Sequence, residues 1–204
     1  ISIFSFHPIK NITTGEGGLV AHNDDALERK LRLLRFHGIE RDAWKRYGKG
    51  ENPEYDIEAP GWKYNMTDIQ AALGLAQFDR LDAFNRRRSE IVALYEEGLR
   101  DIPGMELTID PDYPHGHAHH LFVVKVLAMK RELFMQRLSD WNIGYGLHFP
   151  PCHLLKYVKE RYGTVSLPET ERAASRIISL PLFPEMTDDD ARYVCEAIGE
   201  ILKN

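Results

Sequence analysis

Cysteine is scarce: Cys152 and Cys195 are the only two among 204 residues. They stand far apart and in no metal-like spacing. That excludes a small disulfide-stapled secreted domain and fits two free thiols of a reducing cytoplasm. Long apolar runs are missing too, and no stretch is long enough to span a bilayer as a helix. A basic excess is absent: 26 Lys and Arg face 31 Asp and Glu, for a formal net charge of −5. Nucleic acid and anionic membrane both reward a basic surface, so neither is expected as the main partner. There are no internal repeats and no low-complexity tract. An initiator methionine is missing as well. Ile1-Ser2-Ile3-Phe4 begins inside apolar, strand-like sequence, which reads as the C-terminal part of a longer protein.

What is present is an ordinary folding composition, 43% hydrophobic and 28% charged, so a packed core is expected. Ile1 to Phe6 reads as a short buried strand. Leu19 to His22 reads as a second. Asn23-Asp24-Asp25 caps a helix over 26–37, ended by Gly38. Ile39 to Gly61 is a long polar loop with interspersed aromatics, and a loop of that length in a compact domain is usually functional or disordered. Thr67 followed by Gln70 forms a capping box, and Ile69, Leu73 and Ala76 then recur at helical spacing. A further helix is expected over 84–99. Asp101-Ile102-Pro103-Gly104 breaks the pattern and marks a boundary between residues 1–101 and 102–204. Beyond it come strands over 105–109 and 120–126, a helix over 130–141, a strand over 143–149, short helices, and a last helix after the Thr187 to Asp190 cap. Alternating strands and helices indicate an α/β fold.

The segment "SFHPIKNITTGEGGLV" (Ser5 to Val20) puts one lysine, Lys10, between an apolar strand and a glycine turn. The C-terminal edge of a strand is where ligands bind in open α/β sheets. Pro8 constrains the approach, and Gly15, Gly17 and Gly18 allow the return. Ser5, His7, Thr13 and Thr14 surround the amine with short polar groups. A desolvated lysine in such a turn is a nucleophile towards carbonyls. The same local features also fit a solvated loop lysine.

Four segments in order break that tie: "SFHPIKNITTGEGGLV", "LRLLRFHG", "GWKYNMTDIQAALGLAQFDRLD" and "GYGLHFPPCH". Together they resemble the DegT/StrS family of sugar-nucleotide aminotransferases, fold-type I enzymes dependent on pyridoxal 5′-phosphate (PLP). The resemblance implies an α/β fold comprising the end of the large PLP-binding domain with its connecting helices (1–101) and the small C-terminal α/β domain (102–204). It implies that Lys10 is the Schiff-base lysine, which anchors PLP and then shuttles the proton of transamination. Ser5 matches a serine that contacts the cofactor phosphate. His7 belongs to the same motif, near cofactor or substrate. Lys63 and Asn65 stand where many relatives read Gly-x-Asn-x-Arg beside the phosphate; a lysine there serves as a point charge. His148, with Phe149, matches a substrate-facing segment; a strand-end histidine that merely packs is the alternative. Lys63-Tyr64-Asn65, "GLHF" and "YVKERYG" most resemble the branch that makes UDP-4-amino-4-deoxy-L-arabinose from a UDP-4-keto-pentose with glutamate as donor. The expected assembly is a cytoplasmic homodimer with shared active sites. Relatives that use a pyridoxamine cofactor for dehydration carry histidine at the Lys10 position, so Lys10 argues against that branch. In the family, an acid that pairs with the pyridine nitrogen and an aromatic that stacks on the ring precede the lysine. Neither lies within these residues, and a catalytically incompetent fragment or assembly module is the second expectation.

Other clusters have simpler readings. "HGHAHH" (His115 to His120) alternates so that a strand would align His115, His117 and His119, but the resemblance offers no metal there. "NRRR" (Asn85 to Arg88) reads as a solvated helix face. Trp44, Tyr47, Tyr55 and Trp62 either stack on a uracil ring or pin the loop to a neighbouring subunit. Asp24-Asp25 and Asp188 to Asp190 suit helix N-termini, where the dipole favours carboxylates. Cys152 has no activating base nearby in sequence.

Overall fold

The computed structural model describes residues 1–39, 55–108 and 111–203. The chain divides into two compact units, Ile1–Leu81 and Asp82–Asn204. Most of the long loop, including Trp44 and Tyr47, lies outside the described residues.

In the first unit, β1 (Ser2–Ser5) pairs antiparallel with β2 (Gly18–Ala21), with Ser2 opposite Ala21 and Ser5 opposite Gly18. The lysine segment is therefore the connection of a two-stranded ribbon. The expected burial of the first strand is not found: every residue of both strands is exposed. Only β2 pairs with β1 among the described residues, and Ile1 and Ile3 stand open to solvent. Helix α1 (Asp25–Leu34) starts where the Asp24 carboxylate accepts from the amides of Ala26 and Leu27, at 2.8 and 3.0 Å. It ends at Leu34 with Arg35 as its cap, short of the expected end at residue 37; Gly38, at φ +73°, lies beyond it, where an added Cβ would strike the Ala59 carbonyl. Helix α2 (Asp68–Phe78) opens on the Thr67–Gln70 capping box. Its expected apolar stripe is not buried: Ile69 is 85% exposed and Leu73 46%. The face that α2 turns to its own unit is polar, as described below.

The second unit holds the hydrophobic core. Helix α3 (Leu81–Leu99), which the sequence placed with the first part, sends Ile91, Val92, Tyr95 and Leu99 into it. Strands β3 (Met105–Leu107), β4 (Phe122–Val126) and β5 (Ile177–Leu180) form an antiparallel sheet in the order β3-β4-β5. In β4, Phe122, Val124 and Val126 alternate inward, as a half-buried strand requires. Helices α4 (Arg131–Asp140) and α7 (Asp188–Lys203) complete the core with Phe134, Leu138, Ala191, Val194, Ala197, Ile198 and Ile201. The backbones of α3 and α7 approach closely at Gly98, where a Cβ would lie 2.7 Å from the Cys195 sulfur. Burial pushes the Cys195 thiol up to about 11, with the Glu196 charge adding to it. Between α4 and β5 run a short 3-10 turn (Cys152–Leu154) and two short helices, α5 (Lys156–Tyr162) and α6 (Pro168–Ala174).

Two expectations fail here. The strand over 143–149 reduces to one bridge, Gly146 to Ser179. And β5, read as part of a run of short helices, is the third strand of the sheet. Among the described residues no helix is long and apolar enough to cross a membrane.

Candidate functional site

The β1–β2 connection buries Ile12 and Thr14 and is held by a network of hydrogen bonds. The Phe6 amide donates to the Gly17 carbonyl at 2.9 Å, and the Thr14 amide to the Phe6 carbonyl at 3.1 Å, extending the ladder past the strand end. The Thr13 hydroxyl also donates to Phe6 O at 2.8 Å. The buried Thr14 hydroxyl donates to Glu16 O at 2.8 Å. On the near side, the Ser5 hydroxyl accepts from the His7 amide (3.3 Å), and His7 Nδ1 accepts from the Ile9 amide (3.3 Å). The Lys10 amide donates to His7 O at 2.9 Å, which closes a turn with the half-buried Lys10 side chain at its end. Ser5, His7 and Lys10 thus share one turn.

The far side of the loop is clasped by α2. Gln70, beside its capping role, donates through Nε2 to Glu16 O at 2.9 Å. Gln77, two turns on, takes both backbone polar groups of one residue: Nε2 donates to Thr13 O at 2.6 Å and Oε1 accepts from Thr13 N at 3.2 Å. Gly74 lies between them on the same helix face, where a Cβ would come within 2.9 Å of the Thr14 methyl. The stripe Gln70-Gly74-Gln77 therefore sets the loop that carries Lys10. Sequence reasoning found Gln70 as a capping residue but missed Gln77, whose signal is only its seven-residue offset from Gln70. Replacing Gln77 by leucine strips these partners from the Thr13 backbone N–H and C=O. The expected cost is about 1–3 kcal/mol, read as a lowered urea midpoint, and a cost near zero would remove α2 from the site.

Lys63 and Asn65 lie on the segment before α2. Lys63 bridges to Phe36, its Nζ sits 4.6 Å from the Phe36 ring centre, and it donates to Asn65 Oδ1 at 2.5 Å. Met66 follows directly and reaches the lysine loop: a Cβ on Gly17 would lie 2.8 Å from its terminal methyl. Trp62 and Tyr64 stack with ring centres 6.0 Å apart, both exposed.

His148 and Phe149 belong to the second unit. His148 Nδ1 lies 2.9 Å from the hydroxyl of Ser179 on β5, while Phe149 is 71% exposed. The histidine tract is not a strand, since β4 starts only at Phe122. His117 and His119 stack at 4.4 Å, and among the described residues no group of three or more His, Cys, Asp or Glu side chains is placed to hold a metal. "NRRR" is not one solvated face either. Arg87 pairs with Asp188 (2.7 Å) and Glu90 (3.0 Å), and Arg88 is buried.

The arrangement in the first unit is a primary amine on a rigid turn, with a hydroxyl and the Lys63–Asn65 pair in the same unit. That donor set suits a phosphorylated aldehyde: the amine can condense with a carbonyl, and the others suit a phosphate. Residues 1–199 match the DegT/DnrJ/EryC1/StrS aminotransferase family. Among solved structures, the chain is similar to Spr1654 of Streptococcus pneumoniae in its PMP form (30% identity, TM-score 0.88, 98% of this chain and 52% of that one). It is similar to the sugar aminotransferase CalS13 of Micromonospora echinospora (32%, TM-score 0.83, 97% and 51%). It is similar also to PseC of Helicobacter pylori, an aminotransferase involved in the biosynthesis of pseudoaminic acid (25%, TM-score 0.87, 99% and 53%). The chain spans about half the length of the solved relatives it matches.

Proposed function

Because the chain belongs to the DegT/DnrJ/EryC1/StrS aminotransferase family, we propose that it is the lysine-bearing part of a PLP-dependent aminotransferase acting on a nucleotide-linked keto-sugar. Glutamate is the amino donor in this reading, and two chains share their sites as a homodimer. Residues 1–101 end the cofactor domain and 102–204 form the small domain. The sugar is a UDP-4-keto-pentose, on the strength of Lys63-Tyr64-Asn65 and the "GLHF" segment. The observation that carries the reading is Lys10, presented on a turn clasped by α2.

Lys10 Nζ would hold PLP, with the Ser5 hydroxyl, Asn65 and Lys63 at its phosphate. PLP, when bound, supplies an aldehyde that condenses with amines and a ring that draws electrons from the adjoining carbon. The chain's own residues do the rest. Lys10 Nζ takes the proton from the amino-bearing carbon of glutamate in one half-reaction and returns a proton to the sugar carbon in the other. Glutamate leaves as 2-oxoglutarate, and the keto-sugar leaves with the amine. The loop's hydrogen bonds fix where that proton is handled. His148 and Phe149 face the sugar nucleotide, and His7 lies near cofactor or substrate.

A second reading is a catalytically incompetent part or assembly module. It is favoured by the fully exposed β1–β2 ribbon, an open edge of the kind that pairs with further strands. Treatment with PLP and borohydride, followed by peptide mapping, separates the two. A pyridoxyl group on Lys10 in the 204-residue chain supports the first. Labelling spread over surface lysines, with Lys10 bare both in the chain alone and in any longer form that turns over, overturns it. Labelling of Lys10 only in the longer form supports the second reading for the chain by itself.

A further inference from the structure

His148 is held by more than its place in the chain. Ser179 lies in the middle of β5 and is 4% exposed. Its backbone is fully engaged: its amide donates to Gly146 O at 2.9 Å and its carbonyl accepts from Gly146 N at 3.0 Å. Its hydroxyl meets one polar group among the described residues, His148 Nδ1, at 2.9 Å. The ring also rests on Gly146. A Cβ there would lie 2.4 Å from His148 Cε1 and 3.1 Å from Nδ1, so only glycine admits the ring in this position. The hydroxyl and the missing Cβ hold one imidazole, and the Gly146–Ser179 bridge holds the two residues that do so. A segment of single bridges would otherwise leave it free to rotate.

The pairing also selects a tautomer. A buried serine hydroxyl needs an acceptor for its hydrogen, because a lost hydrogen bond in a buried place is costly. Nδ1 is the acceptor available, and it accepts only when it carries no proton. The neutral ring then bears its hydrogen on Nε2. Among the described residues nothing takes Nε2, which is left to face whatever the site binds.

We propose that Ser179 is a positioning residue. Its hydroxyl donates to His148 Nδ1, holds the ring against Gly146 as the Nε2–H tautomer, and makes His148 a hydrogen-bond donor to an oxygen of the nucleotide sugar. The last clause rests on the substrate reading of His148; the tautomer does not. The class of ligand atom follows: an acceptor such as a ketone, hydroxyl or diphosphate oxygen, never an N–H or ammonium donor.

The test is 15N spectroscopy of histidine side chains in the 204-residue chain, with His148 assigned by its loss in His148→Gln. The expected wild-type pattern is a protonated Nε2 and a hydrogen-bonded, unprotonated Nδ1. Ser179→Ala should move Nδ1 to the position of an unbonded nitrogen and raise the share of the Nδ1–H form, while Ser179→Thr should restore the wild-type pattern. Gly146→Ala, which leaves the hydroxyl intact but pushes the ring away, should reproduce the alanine spectrum. A protonated Nδ1 in the wild type, or His148 signals unchanged in Ser179→Ala, would overturn the proposal. Titration with UDP-xylose, a sugar nucleotide with no ketone to react, then examines the ligand. A shift of the His148 Nε2–H signal supports the donor role. Binding that leaves this signal unmoved, with the tautomer as expected, sinks the substrate reading of His148 and leaves Ser179's hold on the ring standing.

Discussion

Lys10→Ala is expected to lower transamination by roughly 10²- to 10⁴-fold in the form of the protein that turns over, the span usual for losing a positioned acid–base group. The fold should survive. The turn around Lys10 is held by backbone and side-chain hydrogen bonds: the Lys10 amide donates to His7 O, the Thr13 hydroxyl to Phe6 O, and Gln77 takes the backbone N–H and C=O of Thr13. An unchanged unfolding midpoint beside a collapsed rate would therefore place the loss in chemistry. Small primary amines added to the variant should recover part of the rate, since they supply a proton carrier without a tether. Turnover within tenfold of wild type would remove Lys10 from the reaction, whatever the family suggests. Arginine at this position should behave like alanine, because it keeps the charge but holds its proton too tightly to exchange it.

Local chemistry in this chain was legible; distant pairing was not. The Thr67–Gln70 box and the Asp24 cap are found where the residues predict them, because each is decided within four residues by backbone groups that need partners. The lysine turn was legible for the same reason. Its clasp was not: Gln77 and Thr13 are 64 residues apart, and a glutamine on a helix carries no periodic signal. Periodicity itself misled at Ile69 and Leu73, since an apolar stripe says that a face wants cover and not that the chain supplies it. Strand β5 has only four residues, and its identity depends on β4, over 50 positions earlier, for a ladder. The strand expected over 143–149 fails for a related reason. With the ring of His148 folded onto Gly146, the segment keeps one bridge to Ser179 and no more. His148 was thus visible as a residue type, while the Ser179 and Gly146 that pack against it were not.

Arg88 is where a charge run proves to be three different residues, and where the largest stability effect is expected. Arg86 is exposed, Arg87 sits in a surface ion-pair network, and Arg88 is 6% exposed inside the second unit. Its Nη1 donates to the carbonyls of Leu182 (2.9 Å), His119 (3.2 Å) and His120 (3.4 Å). Burial lowers its pKa, and the field of Glu185 opposes that shift. The guanidinium thus ties the entry to β4 to the exit from β5, the strand that carries Ser179. Arg88→Ala removes the donors of three carbonyls and leaves a void, and should cost about 3 kcal/mol in urea unfolding. Arg88→Met keeps the stem's volume and relieves the burial of a charge, so it should cost less, about 1–2 kcal/mol. Arg86→Ala should stay within about 0.5 kcal/mol, as surface changes do. The order decides which force dominates. Methionine as costly as alanine would mean that the carbonyls' need for donors governs the site. Methionine at or above wild-type stability would mean that desolvation of the charge outweighs its hydrogen bonds. An alanine variant as stable as the wild type would refute the clamp. Because the clamp ends beside β5, the His148 signal should broaden in Arg88→Ala while its tautomer stays fixed by Ser179.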